Sequence, residues 1–237
     1  MRWSFDRLGF PLLRIGETKL EFHLLPVTKW QFERFLEEPD GVGDDWYEAL
    51  LQLNPRASFR RFPPEHRERL FLTGLLGHEA LLFAGWMGGG FRLPEVEEWR
   101  EAFRWLEEQR FDEKVFQDLL GGCAHPSVVT LLRAVEEQVR PRTWLDLTLM
   151  RGGVVEWVEP AANLQGLGQP RPEFHSNAFH PLHDIVKAID STRRASFFGL
   201  RLVRESVPED VTPVSPQGSV GAGLQWFRNF VIKCRPR

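Results

Sequence analysis

The stretch Phe91-Arg-Leu-Pro-Glu-Val-Glu-Glu-Trp-Arg100 decides how the rest of the chain is read. The glycine run Gly88–Gly90 before it ends any helix arriving from Gly77–Met87. Pro94 biases Leu93 away from the helical region, so Phe91–Leu93 is expected to be extended. Pro94 suits the first helical position, and Glu95, Glu97 and Glu98 place negative charge against the positive end of the helix dipole. Trp99, Phe103 and Leu106 recur at i, i+4 and i+7, which predicts one inward apolar stripe.

Outward from this element, the composition is that of a globular chain. It has 237 residues, 42% hydrophobic and 27% charged, with a net charge of −3, so no global field attracts nucleic acid or an anionic surface. Nineteen phenylalanines and nine tryptophans stand against one tyrosine, which points to aromatic packing between irregular loops. No run approaches the roughly 18 apolar residues of a membrane span. The start, Met1-Arg-Trp-Ser-Phe-Asp-Arg7, shows no signal-peptide pattern. Cys123 and Cys234 form no disulfide framework and have no partner at metal-ligand spacing, so a reducing cytoplasmic setting is expected.

Towards the N-terminus, Thr18–Leu25 alternates and reads as a strand. In Pro26-Val-Thr-Lys-Trp-Gln-Phe-Glu-Arg-Phe-Leu36, Thr28 and Gln31 make a capping box for a helix opening at Trp30 or Gln31, with Phe32, Phe35 and Leu36 buried. Trp46–Leu53 is a short helical candidate, and Leu70–Met87 carries apolar residues at helical spacing. Beyond Trp99, Phe111, Val115 and Leu119 recur every four residues. Ser127 is placed to cap a helix facing inward through Leu131, Leu132, Val135 and Val139. Asp146-Leu-Thr-Leu-Met-Arg-Gly-Gly-Val-Val-Glu-Trp-Val158 holds a glycine pair and a Glu-Trp pair. Phe198-Gly-Leu-Arg-Leu-Val203 alternates as one half-buried strand with Leu200 and Leu202 inward and Arg201 and Arg204 outward.

Four of these stretches, in order, resemble the formylglycine-generating enzyme family, also called the sulfatase-modifying-factor family. Arg92-Leu-Pro-Glu with Glu98-Trp99 is similar to its "RLPTEAEWE" signature, Pro26–Leu36 to "PVTNAQYRAFL", Asp146–Val158 to "DMxGNVWEWT" with Glu156-Trp157 retained, and Phe198–Val203 to "GFRLV". Gly153 replaces the family's Asn, and Val155 its first Trp. The resemblance implies an α+β, C-type-lectin-like fold of small antiparallel sheets with several helices, its first and last strands adjacent. It gives one domain over 1–204 with a helical insertion at about 106–140, then a Pro/Gly-rich connector at 205–223. An apolar, basic tail follows at 224–237, poised either to fold back or to dock.

Active members of that family are implied to hold copper between two cysteines spaced C-x4-C and to oxidise a substrate cysteine. Two thiolates suit Cu(I). The matching region, Pro172–Arg194, contains no cysteine, and neither Cys123 nor Cys234 maps onto the pair. The expectation is therefore a pseudoenzyme without copper. It would bind a protein or peptide through the loops of Gln165–His183 or through the tail, as family members do in accessory roles, including in bacterial signalling and defence systems. Candidate binding residues are His175, His180, His183, Arg193, Arg194, Trp226, Phe227 and Phe230. Two alternatives stay open: a metal-dependent enzyme of altered chemistry using His175, His180, His183 and Asp184, and a copper-dependent formylglycine-generating oxidase. Glu156 is expected to bond loop amides and Trp157 to pack beneath them. The arginines from Arg56 to Arg69 interleave with Glu65 and Glu68, which disfavours a nucleic-acid groove.

Overall fold

A computed structural model describes residues 1–36, 71–72, 74–159, 164–168 and 198–206. The chain divides into Met1–Ser206 and Val207–Arg237. The second unit, with Cys234 and the expected tail, lies outside the described residues, as do the helical candidate Trp46–Leu53 and the arginine-rich stretch after it.

The first unit is α+β. In chain order it runs β1 (Trp3–Phe5), β2 (Pro11–Arg14), β3 (Leu20–His23), α1 (Lys29–Leu36), α2 (Gly77–Met87) and α3 (Val96–Glu108). There follow α4 (Glu113–Gly122), α5 (Pro126–Val139), α6 (Trp144–Thr148), β4 (Val155–Val158), β5 (Gln165–Leu167), β6 (Phe198–Leu200) and β7 (Val203–Glu205). One antiparallel sheet has the order β1-β2-β3-β7. The other has the order β5-β4-β6, with β4 antiparallel to β5 and parallel to β6. The pairing of Leu20 with Glu205 and Phe22 with Val203 brings the first and last parts of the unit together.

Local chemistry explains most of the starts and stops. The carboxylate of Asp6 accepts the amides of Leu8 and Phe10, each at 2.8 Å, which closes the β1–β2 turn. Before α1 the reciprocal box is in place: Thr28 N donates to Gln31 Oε1 at 2.9 Å, and Gln31 N donates to Thr28 Oγ1 at 3.2 Å. The helix opens at Lys29, slightly ahead of the expected start.

At α3 the expected inward stripe holds, with Trp99 and Leu106 buried and Phe103 half-buried. Pro94, however, precedes the N-cap residue Glu95 instead of opening the helix. Its carbonyl is taken by the Glu159 amide at 2.9 Å, so this residue belongs to the extended segment that runs beside Glu159. Glu98 then reaches back to the Glu95 amide at 2.8 Å. The same carboxylate takes a two-pronged bond from Arg92, at 2.7 and 2.6 Å.

In α5, Pro126 opens the helix and His125 is the N-cap; Ser127 lies inside the first turn. A proline at the first position needs no amide partner and already has a helical φ, which displaces the start towards it. The inward face is Val128, Leu131, Leu132 and Val135, and that of α4 is Phe116, Leu119 and Leu120. Both faces share one buried cluster with Leu13 of β2, Phe22 of β3, Trp99 and Leu106 of α3, and Trp144 of α6. The helices of the 106–140 region therefore close the core beneath the first sheet. A second cluster joins Phe32 and Phe35 of α1, Phe83 and Met87 of α2, Val155 and Trp157 of β4, and Phe198 and Leu200 of β6.

The closing stretch departs from the expected single strand. Phe198–Leu200 belongs to one sheet and Val203–Glu205 to the other. Between them the chain changes sheets: the Leu200 carbonyl accepts the Val27 amide at 2.8 Å and the Leu202 carbonyl the His23 amide at 3.0 Å. Arg201, expected outward, is 1% exposed. In the middle of β6, Gly199 has no room for a side chain. A Cβ there would stand 2.5 Å from the Leu72 carbonyl oxygen and 2.9 Å from Val154 Cγ2. Gly199→Ala is expected to destabilise the fold by about 1–3 kcal/mol through overpacking. Urea unfolding should show a lower midpoint at unchanged slope.

Candidate functional site

The motif residues converge on Arg201. Its Nε donates to both oxygens of Glu156 at 3.1 Å, and one terminal nitrogen donates to Glu156 Oε1 at 2.8 Å and to the Thr148 carbonyl at 2.6 Å. The other terminal nitrogen donates to the carbonyls of His23 and Leu24, at 2.7 and 2.6 Å. Glu156 Oε2 also accepts the indole N–H of Trp99 at 2.7 Å. Each guanidinium nitrogen thus has an acceptor, and both charged groups are buried. Glu156 bonds a guanidinium and an indole, not the loop amides expected for it. Trp157 is fully buried and donates its indole N–H to the Leu75 carbonyl at 3.1 Å. A cluster so completely paired offers no free acid, base or nucleophile; its chemistry is cohesion.

A second buried polar cluster was not legible in the sequence. Asp6 Oδ2 lies 3.1 Å from His23 Nε2 and accepts Gln31 Nε2 at 3.3 Å. The His23 ring stacks on Phe91 with centroids 5.2 Å apart, and its Nδ1 has no hydrogen-bond partner. All four residues are buried. The one signal for this cluster was the strand alternation, which sets His23 beside Glu21 on one face of β3.

The glycine pair forms a tight turn after α6. Leu149 is left-handed, with φ of 61°. A Cβ on Gly153 would stand 2.5 Å from the Leu149 carbonyl oxygen and 2.8 Å from its Cβ. The asparagine of the resembled motif does not fit this turn as it stands, so glycine here follows from the backbone's own close approach.

His175, His180, His183, Asp184, Arg193, Arg194, Trp226, Phe227 and Phe230 all lie outside the described residues. Of the loop expected to bind, Gln165–Gly168 is described and supplies β5. Among the described residues no group of three or more His, Cys, Asp or Glu side chains could hold a metal ion. Cys123 is half-buried at the end of α4, with Sγ 3.4 Å from the Leu119 carbonyl, and burial pushes its thiol up to about 11. At neutral pH the metal-free group is a thiol. Lys29, at the start of α1, is another titratable group that sequence reasoning passed over. Burial pulls its ammonium below the usual range, against the pull of Glu33 3.8 Å away. No protein-family model matches the chain, and no curated protein matches it.

Two outcomes follow from these clusters. Arg201→Met or Glu156→Gln is expected to cost about 3–5 kcal/mol, because each strands a buried partner. A double-mutant cycle on unfolding free energies should show strong coupling between the two sites. The Arg92–Glu98 pair gives a pH signature. Burial acts to raise the Glu98 carboxyl, but the Arg92 bonds and the Glu95 amide outweigh it and hold the group below its usual value. Its contribution is therefore present above the unfolded value of about 4.3 and is lost as pH falls through the lower folded one. Arg92→Met should reduce the acid-side loss of stability, read as urea midpoints between about pH 6 and about pH 3.

Proposed function

We propose that the chain is a divergent, non-catalytic relative of the formylglycine-generating enzymes, with their C-type-lectin-like fold. In this reading it acts as a protein- or peptide-binding module, an accessory or regulatory subunit in a bacterial signalling or defence system. The observation that supports this most is what the motif residues do. Arg92 clasps Glu98, Trp99 and Arg201 clasp Glu156, and Trp157 holds Leu75, so each serves the frame. The adjacency of β3 and β7 is of the kind the resemblance implies. Such a frame carries loops, and loops on a rigid base are where recognition tends to reside. The copper of active relatives would need two thiolates. The region matching the family's pair has no cysteine, and Cys123 lies elsewhere, at the end of α4.

Two measurements test the reading. Incubated with Cu(I), oxygen and a thiol peptide, the protein is expected to oxidise the peptide no faster than free copper does; turnover above that level refutes the pseudoenzyme assignment. In native extract the full chain is expected to co-purify with a stoichiometric partner. Replacing Trp226, Phe227 and Phe230 together by Ala should release that partner if the tail is the docking element.

A further inference from the structure

Where the β2–β3 turn meets α3, a recess of about 280 Å³ is lined by Met1, Arg2, Arg14, Gly16, Glu17 and Trp105. Its volume lies at the lower edge of the range of about 300–1,000 Å³ typical of small-molecule sites. Neither of the two buried polar clusters contributes to it. Its walls come from the start of the chain, the turn after β2 and the middle of α3, and all of these are held in place.

The turn is fixed by Thr18. Its hydroxyl donates to the Ile15 carbonyl at 2.6 Å and accepts the Leu20 amide at 3.2 Å, while its own amide bonds the Ile15 carbonyl at 3.0 Å. Arg14 is tied to that turn: its Nε donates to the Thr18 carbonyl at 3.0 Å, and its amide to the Arg2 carbonyl at 3.0 Å. One edge of the guanidinium is thus anchored. Its two terminal nitrogens have no hydrogen-bond partner among the described residues, and neither does the indole N–H of the half-buried Trp105. A Cβ on Gly16 would stand 3.4 Å from Cδ1 and from Nε1 of that indole.

The lining therefore presents donors on a pre-set fork beside a flat apolar ring. The lining includes the guanidinium groups of Arg2 and Arg14 and the carboxylate of Glu17. A fork of parallel N–H groups matches a carboxylate in two-pronged geometry. An indole beside it matches a planar body. The small volume of the recess matches a ligand of one ring.

We propose that this recess is a binding site for a carboxylate carried on a single planar ring. The carboxylate lies on the Arg14 fork and the ring against Trp105. The same chemistry is found in a free aromatic acid and in a chain ending in phenylalanine, so both serve as probes. The test uses the full chain with ¹⁵N-labelled tryptophan, the Trp105 indole signal being assigned by loss in Trp105→Phe.

Titration with benzoate, or with an N-acetylated dipeptide ending in phenylalanine with a free carboxylate, is expected to shift that signal saturably. The tighter of the two names the source. Benzamide and the amidated dipeptide, which keep the ring and lose the charge, are expected to leave it in place. Arg14→Met keeps the alkyl stem and should weaken binding roughly tenfold or more, the effect of losing a charge-assisted bond. The proposal is overturned if neither acid gives a saturable shift, if the neutral amides shift the signal equally, or if Arg14→Met binds as tightly as the parent. Should Arg14→Met not fold, the comparison of acid with amide in the unaltered protein decides alone.

Discussion

One buried guanidinium, that of Arg201, holds the first unit together. An isolated charge in a protein interior costs several kcal/mol of desolvation, and only near-complete hydrogen bonding offsets it. Arg201 reaches that condition by drawing acceptors from separate parts of the fold: the end of β3, the end of α6 and the middle of β4. Glu156 does the same from its side, since it also receives the indole of Trp99 on α3. The two sheets, α3 and α6 are thereby tied at one point. Apolar packing could fill the same volume, but it would not specify the angle between these elements. A forked cation with fixed donor directions does.

This constraint explains the odd course of the closing stretch. Leu200, Arg201 and Leu202 do not continue one strand. The chain leaves β6, turns Arg201 into the interior, and enters β7 in the other sheet. The Leu200 and Leu202 carbonyls meet the amides of Val27 and His23 on the way, so the crossing leaves these backbone groups paired. The crossing also sets Val203 beside Arg92, which carries the extended segment leading to α3. The start of α3 and the end of the unit are therefore positioned by the same residues.

What could be read from the sequence was what is local. The Thr28–Gln31 box, the acidic first turn of α3 and the inward stripe of Trp99 and Leu106 depend on residues within two helical turns, and the structure has them all. The inward face of α5 was legible in Leu131, Leu132 and Val135, although Pro126 moved its start ahead of Ser127; on α4 only Leu119 of the expected every-fourth series is buried, beside Phe116 and Leu120. Contacts between distant segments were not legible. Alternation sent Arg201 outward because a period of two says nothing about acceptors dozens of residues away. Asp6 and His23, 17 residues apart, carried no motif that would have paired them. The recess at Trp105 was equally hidden, since its two guanidinium groups and its indole belong to three separate stretches. The histidines and arginines proposed from the sequence as binding residues lie outside the described residues.

The frame puts two kinds of demand on its residues. Arg92 with Glu98, Glu156 with Trp99 and Arg201, and Trp157 with Leu75 need particular donors and acceptors at particular distances. The apolar positions between them need only volume and periodicity, and cores accept many substitutions that preserve those. Gly153 shows the limit of that freedom. Where the Leu149 carbonyl comes within 2.5 Å of a prospective Cβ, the backbone admits one residue type, whatever a relative carries there. Apolar positions of the frame are therefore open to exchange where its polar clasps are not. Function is under a different constraint from either. A clasp that is fully satisfied inside the protein has no valence left for a ligand, so recognition depends on groups with donors still open, and Arg14 and Trp105 bring such groups to the lining of one recess.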